Sequence, residues 1–172
     1  MTRISMDTKL GYMCTKLSGA SESFIVGFFD NTGIKLQKDL HLTVVYDSRN
    51  PISMRELQDN FLVGRGGNPI RRNDKGEIIT SSHGFCTVTG VGVLGSGEWQ
   101  GLVLHLTAPF LEDYREKLHQ EVFKTDFPKW SPHISLLYQP TSIDIETLER
   151  LSSQIIGTQL ELEDMYWSVC ID

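Results

Sequence analysis

Residues 131–138 constrain the fold most, because apolar and polar side chains alternate along them. Successive side chains of a strand point to opposite faces, so His133 and Ser135 share one face while Ile134 and Leu136 share the other. The apolar face predicts a strand that packs on a core. An imidazole and a hydroxyl side by side on the opposite face are not needed for packing, so they indicate that this strand has a function.

Residues 39–46 repeat the same pattern far upstream. His41 and Thr43 share one face of this second predicted strand, and Leu40, Leu42 and Val44 share the other. Two apolar strands therefore each offer an imidazole and a hydroxyl two residues apart. This pairing is the strongest functional indication in the sequence.

The remaining chain alternates between helix and strand signals, and no repeat or low-complexity segment interrupts it. A strand and a helix precede each histidine strand, which predicts a single α+β domain over residues 1–172 with two similar lobes across a groove. A polar turn at 81–84 is expected to separate strands at 78–80 and 85–91. The predicted elements are a strand over 10–17, a helix over 24–29, the strand over 39–46, a helix over 53–62, strands between 70 and 107, a helix over 109–123, the strand over 131–138, a helix over 145–155 and a strand over 158–170.

The charge and cysteine content narrow the classes of function. The net charge is −6, and no basic run exceeds Arg71-Arg72, which argues against binding long nucleic acid. The three cysteines have neither metal-ligand spacing nor a disulfide framework, which fits a reducing cytoplasm. The N-terminal residues lead into no apolar h-region and no apolar stretch is long enough to span a bilayer, so we expect a cytoplasmic chain without membrane contact.

Two imidazoles facing one pocket are suited to acid–base chemistry. Near neutral pH one can accept a proton while the other donates one. The hydroxyls of Thr43 and Ser135 can donate hydrogen bonds to phosphate oxygens, where charge develops in the transition state. A phosphodiester with a sugar hydroxyl as internal nucleophile fits this arrangement, and we expect neither metal nor cofactor. Zinc is the weaker alternative, because Asp39 shares a face with His41 but His133 has no comparable partner.

The other histidines are assigned no role at this stage. Residues 105–107 form a third His-x-Thr triplet. It immediately precedes the helix over 109–123 instead of lying one strand later, so we interpret it as incidental. His83 and His119 are expected to be exposed on a turn and a helix.

The triplet at 41–43 and the segment at 131–136 resemble the motifs of the 2H phosphoesterase (LigT-like) superfamily, and within it the phage anti-CBASS phosphodiesterases. The resemblance implies a bilobal α+β fold in which two antiparallel sheets face a central groove, with helices outside. It implies that His41, Thr43, His133 and Ser135 hydrolyse 3′–5′ bonds of cyclic di- or trinucleotide immune messengers, without metal, in the bacterial host cytoplasm.

The resemblance also implies three substrate-binding residues. Tyr12 and Trp167 would stack on bases, and Glu161 would lie in the active site. Core packing is the competing interpretation for both aromatic residues, and a solvated strand position for Glu161. The block over 49–100 departs from the family pattern, which leaves the substrate range open.

Two other functions stay open at the sequence level. The same fold could act on 2′–5′ oligonucleotides, 2′,3′-cyclic phosphate ends or cyclic ADP-ribose derivatives. Alternatively, the protein could sequester nucleotides without cleaving them. The sequence does not predict the oligomeric state.

Overall fold

Strands dominate the part of the chain that the computed structural model describes, which comprises residues 9–46, 52–53, 55, 70–72, 74, 77–95, 100–121, 130–138 and 143–168. Nine strands and three helices follow one another in these residues. In chain order they are β1 (Lys9–Leu10), β2 (Tyr12–Leu17), α1 (Gly19–Asp30), β3 (His41–Tyr46), β4 (Ile52–Ser53), β5 (Ile70–Arg72), β6 (Ile78–Leu94), β7 (Gly101–Thr107), α2 (Pro109–Glu121), β8 (His133–Tyr138), α3 (Ile145–Ile155) and β9 (Gln159–Ser168).

Seven of these strands form one antiparallel sheet in the order β5-β6-β7-β8-β3-β2-β9. The 17-residue strand β6 pairs with β9 through its first part and with β7 through its last part. The pairings among β6, β7, β8, β3, β2 and β9 therefore form a closed circuit. β1 and β4 pair separately. The predicted mixture of helices and antiparallel strands is confirmed. The prediction of two separate sheets is not confirmed, because strands expected in both lobes belong to one sheet.

One face of this sheet is apolar and carries the helices. Leu42 and Ile134 are fully buried there, in the same hydrophobic cluster as Ile25 and Phe29 of α1. Leu111 of α2 and buried side chains of α3 join this cluster. The opposite face, which we call the polar face, therefore keeps the side chains that alternate with the core residues.

The helix boundaries follow from their caps. The sequence offers Ser18, Ser21 and Ser23 as caps of the helix that covers 24–29, and the structure confirms Ser18, which accepts a hydrogen bond from the Ser21 backbone N–H so that α1 begins at Gly19. The sequence predicts Thr141-Ser142 as the cap of the last helix, and both residues lie outside the described residues. Asp144 caps α3 by accepting from the Thr147 N–H at 2.7 Å. Within the predicted helix over 53–62, Arg55 is helical, while Ser53, the residue before the helix in this prediction, pairs with Lys9 in a strand. Residues 54 and 56–62 are not described.

The turn expected at 81–84 is also wrong, because β6 continues through it. β9 pairs with Thr80 just before this segment and with His83 and Gly84 within it, with an irregularity between Thr80 and His83. The polar residues favour a turn locally, but pairing with β9 on both sides of the irregularity continues the strand. His83 therefore lies in a strand.

A bulge in β9 changes which face its last residues occupy. Thr15 pairs with Met165 and Lys16 with Glu163, which leaves Asp164 as the extra residue, with a φ of 59°. An extra residue reverses the alternation beyond it. Unbroken alternation along the predicted strand over 158–170 gives Met165 the same face as Glu163, and the bulge makes that prediction wrong: Met165 lies in the hydrophobic core, and every later residue of β9 is shifted in the same way.

Candidate active site

Strands β3 and β8 are neighbours, and their register joins Leu42 to Ile134. Both side chains are fully buried, so the apolar faces of the two strands meet in the core. Because the strands are antiparallel, the residues that flank this pair lie opposite each other and point to the polar face. These flanking residues, which we call the polar quartet, are His41, Thr43, His133 and Ser135.

Within the polar quartet each imidazole has a hydroxyl across from it. The Leu42–Ile134 pair is the one described for these two strands, and regular antiparallel pairing on either side of it would set Thr43 opposite His133, and His41 opposite Ser135. In regular pairing, opposite Cβ atoms are about 4.5–5.5 Å apart, and diagonal neighbours such as the two histidines are about 7–8 Å apart. Side chains at this regular spacing would leave room for one phosphate group between the imidazoles, with both hydroxyls at its sides.

The two imidazoles are oriented in the same way. His41 Nδ1 lies 3.2 Å from the carbonyl oxygen of Asp39, and His133 Nδ1 lies 2.9 Å from that of Ser131. A carbonyl only accepts, so each Nδ1 carries the hydrogen and each Nε2 is left to exchange a proton. Within the described residues neither Nε2 has a hydrogen-bond partner. The Asp39 carboxylate also lies 3.6 Å from His41 Nδ1.

Two side chains hold the edge of β3 beyond the point where it pairs with β8. The Trp130 indole donates to the Thr43 carbonyl at 3.3 Å, and Arg115 Nε donates to the Val44 carbonyl at 3.0 Å. The Arg115 guanidinium lies over the Trp130 ring, 5.3 Å from its centroid, and burial lowers the pKa of Arg115. These contacts fix the backbone that carries Thr43.

Tyr12, a predicted substrate-binding residue, contacts the polar quartet directly. Its hydroxyl lies 3.2 Å from Thr43 Oγ1, and its ring meets His41 edge to face at 6.3 Å. Tyr46 packs against the same ring. Burial raises the pKa of Tyr12, so its hydroxyl keeps its proton and can donate to Thr43. Tyr12 can therefore orient this hydroxyl as well as present an aromatic ring.

Glu161 shares the polar face but lies two strands away from β3. Its carboxylate accepts a hydrogen bond from His83 Nε2 at 2.8 Å, and this bond is the main reason that the pKa of Glu161 is lowered. Lys16 of β2 separates the two regions, since it pairs with His41 on one side and with Glu163 on the other. Glu161 is thus on the expected face, but the described residues show no contact between it and the polar quartet.

Trp167 is not brought to the polar face. It is 1% exposed and belongs to the hydrophobic core, between its strand partners Met13 and Ile78. The bulge at Asp164 is the physical reason, because without it Trp167 would share a face with Glu161. Tyr166 occupies that face instead, with Lys16 Nζ 4.4 Å from its ring centroid.

His105, which the sequence interpretation set aside, lies beside the polar quartet. It is the direct cross-strand partner of His133 in the β7–β8 pairing, and Val103 is the partner of Ser135. Burial, and next the charge of His133, lower the pKa of His105. The third His-x-Thr triplet is the sequence signal for this residue, and its place before a helix along the chain does not predict its contact with His133.

Metal-ligating side chains do not cluster in the described part of the chain, where no three His, Cys, Asp or Glu residues could hold an ion together. Cys14 and Cys86 are buried free thiols, and burial raises the pKa of each to about 12. Among the described helices, none is long and apolar enough to cross a membrane.

A known protein family matches almost the whole chain. A search of curated proteins gave no match. The family model described as anti-CBASS protein Acb1 matches residues 10–167, which include the polar quartet, Tyr12, Glu161 and His105. This description indicates a role in counteracting CBASS defence. The chain belongs to the anti-CBASS protein Acb1 family.

Proposed function

We propose that this protein is a phosphodiesterase that cleaves a 3′–5′ bond of cyclic di- or trinucleotide messengers without a metal and thereby counteracts CBASS defence in the cytoplasm of the host. The observation that carries the proposal is the polar quartet. Two imidazoles with matching Nδ1 bonds lie diagonally across β3 and β8, and a hydroxyl lies opposite each. Family membership supports the biological setting.

The two imidazoles would divide the proton transfers between them. Nε2 of one accepts the proton of a ribose 2′-hydroxyl as the 2′-oxygen bonds to phosphorus. Nε2–H of the other gives its proton to the 5′-oxygen as the phosphorus–oxygen bond to it breaks. The product end is a 2′,3′-cyclic phosphate, which water opens to a 3′-phosphate with the two roles reversed. Each transfer is worth roughly 10²–10⁴ in rate.

The hydroxyls and the backbone bonds support this division. Thr43 and Ser135 can donate to the non-bridging oxygens, where charge builds in the transition state. The carbonyls of Asp39 and Ser131 hold each ring with Nε2 away from the backbone. Because both histidines have the same kind of bond, either can be the base, and the proposal assigns neither role.

The charges of the polar face favour a small ligand. Glu161 and Glu163 lie on it, and Lys16 is the cation between them and the polar quartet. Long RNA or DNA binds through many neutralised phosphates, which a chain of net charge −6 does not favour. A cyclic di- or trinucleotide has only two or three phosphates, and Tyr12 offers an aromatic ring beside the reactive groups.

Cleavage of a panel of substrates in EDTA, with product mapping, tests the proposal. The panel contains cyclic dinucleotides and trinucleotides, 2′–5′ oligonucleotides, 2′,3′-cyclic phosphate ends and cyclic ADP-ribose derivatives. We expect cleavage of a cyclic 3′–5′ bond to a 3′-phosphate end. Absence of cleavage, or cleavage only after metal is added, would contradict it, and cleavage confined to another substrate would reassign it.

Matched variants identify the groups that act. Thr43→Val removes the hydroxyl at similar volume, whereas Thr43→Ser retains it, so only the first should lose most activity. The double variant His41→Ala/His133→Ala distinguishes catalysis from sequestration. If this variant still depletes free messenger as well as the unmodified protein, the protein is a binding module and not an enzyme.

A further inference from the structure

His105 extends the polar quartet onto a third strand. It lies directly across from His133 on β7, while Thr43 lies on the other side of His133 on β3. The partners Leu104 and Ile134 are fully buried, so His105 and His133 both point to the polar face. Three neighbouring strands, β7, β8 and β3, therefore carry His105, His133 and Thr43 on the polar face.

A glycine makes the space for the His105 ring. A Cβ atom added to Gly92 of β6 would lie 2.7 Å from His105 Nε2, closer than a side chain tolerates. The same addition at Gly90, two residues earlier, would meet its nearest atom, Ser152 Oγ, at 3.6 Å, an ordinary contact. The imidazole thus occupies the surface left open by the missing side chain of Gly92.

The ring is a hydrogen-bonding group with no protein partner in the described part of the chain. His105 is partly buried, and a polar group in such a position gains from any partner that a ligand supplies. Burial and the neighbouring charge of His133 both lower its pKa. Both effects favour the uncharged imidazole, which can donate one hydrogen bond and accept another.

We propose that His105 is a third substrate-contacting imidazole, which hydrogen-bonds an uncharged polar group, a ribose hydroxyl or a base edge, of the nucleotide next to the scissile phosphate on the β7 side. This inference rests on the proposed function and names a further part of the same site. His105 recognises the nucleotide, and the polar quartet handles the phosphate.

The test is isothermal titration calorimetry of the full chain with a phosphorothioate cyclic dinucleotide, which resists cleavage. We expect His105→Ala to weaken binding about 2- to 10-fold, the range for one neutral hydrogen bond. His105→Gln should retain most of the affinity, because an amide can replace the neutral ring nitrogens, whereas His105→Lys should not. In cleavage assays the weaker substrate binding of His105→Ala should appear as a raised KM, with a smaller change in kcat.

Two glycine variants make a matched pair. Gly92→Ala should displace the imidazole and weaken binding as His105→Ala does, while Gly90→Ala should bind like the unmodified protein. Thermal unfolding of each variant reports whether it folds. If Gly92→Ala does not fold, the comparison of Ala, Gln and Lys at position 105 decides alone.

The outcomes separate this inference from the proposed function. Equal affinity of His105→Ala and the unmodified protein overturns the inference alone, and so does recovery by Lys but not by Gln, which would indicate a charged ligand group. An unmodified protein that binds neither a cyclic dinucleotide nor a cyclic trinucleotide, each as the phosphorothioate, overturns the proposed function and this inference with it.

Discussion

The replacement Trp167→Leu separates a core role for this residue from base stacking. Trp167 is fully buried among core residues. Truncating a buried Trp to Ala costs about 3–5 kcal/mol, and Leu keeps part of the packing, so a gross cost of roughly 2–4 kcal/mol is expected. The indole Nε1 has no hydrogen-bond partner in the described structure. Removing this unpaired N–H relieves about 1 kcal/mol. The free energy of unfolding should therefore fall by a net amount of roughly 1–3 kcal/mol.

Two measurements read out this replacement. Urea unfolding should show the loss of stability, and thermal unfolding should shift by about 2–4 °C for each kcal/mol in a chain of this length. Titration with a phosphorothioate cyclic dinucleotide should give a Kd close to that of the unmodified protein. Loss of a base stack would instead weaken binding about 5- to 150-fold. Tyr12→Leu is the control, because Tyr12 contacts the polar quartet and its loss should weaken binding.

The reasoning is refuted if Trp167→Leu folds with nearly unchanged stability and weakens binding by more than about fivefold, the lower end of the effect of one lost stack. Such a result would mean that the indole leaves the core to meet the ligand. The bulge at Asp164 would then not decide the face that Trp167 occupies.

Three further outcomes are expected. Tyr12→Phe removes the hydroxyl 3.2 Å from Thr43 Oγ1, so kcat should fall about 2- to 10-fold with a smaller change in KM; an unchanged kcat would show that Thr43 needs no orienting. The pH–rate profile should be bell-shaped, because His41 and His133 must be in opposite protonation states, and a rate that rises steadily into strong base would contradict this. The pKa of Glu161 is lower in the folded state than in the unfolded chain, so the carboxylate stabilises the fold above its ordinary pKa of 4.5, and this stabilisation is lost as the pH falls through the folded pKa. Glu161→Gln should therefore reduce the loss of stability at acid pH, measured by urea unfolding across the pH range. An unaltered dependence of stability on pH would show that the Glu161 carboxyl does not cause this loss.

The polar quartet could be predicted because its information is local. Alternation within five residues assigns the imidazole and hydroxyl of β3 to one face, and the same holds for β8. The core pair Leu42 and Ile134 then joins the two strands at the matching point. Strand identity and face are therefore readable from the sequence where no bulge intervenes.

The face of Trp167 could not be read in this way. Unbroken alternation from Glu161 puts Trp167 on the polar face, and one extra residue at Asp164 reverses the result. An Asp in a strand does not by itself indicate a bulge, because the irregularity depends on how β9 pairs with β2. The same limit explains β6, where the pairing with β9 continues a strand through residues that favour a turn.

His105 shows the same limit at the site itself. Its triplet matches that of His41 in type and alternation, so the sequence offers the residue but not its neighbour. The register of β7 against β8 includes an irregularity between Leu102 and Val103, and this register puts His105 against His133. Chain order relative to a helix carries no information about such a contact.

The spacing of the reactive groups also depends on residues outside the motifs. The described register joins β3 to β8 only at Leu42 and Ile134, and beyond that point Trp130 and Arg115 bond the carbonyls of β3. A hydrogen bond from a side chain thus takes the place of one that a neighbouring strand would donate, so the Thr43 carbonyl is paired without such a strand. The motifs therefore specify which imidazoles and hydroxyls share the polar face, while Trp130 and Arg115 hold the β3 backbone that carries two of them.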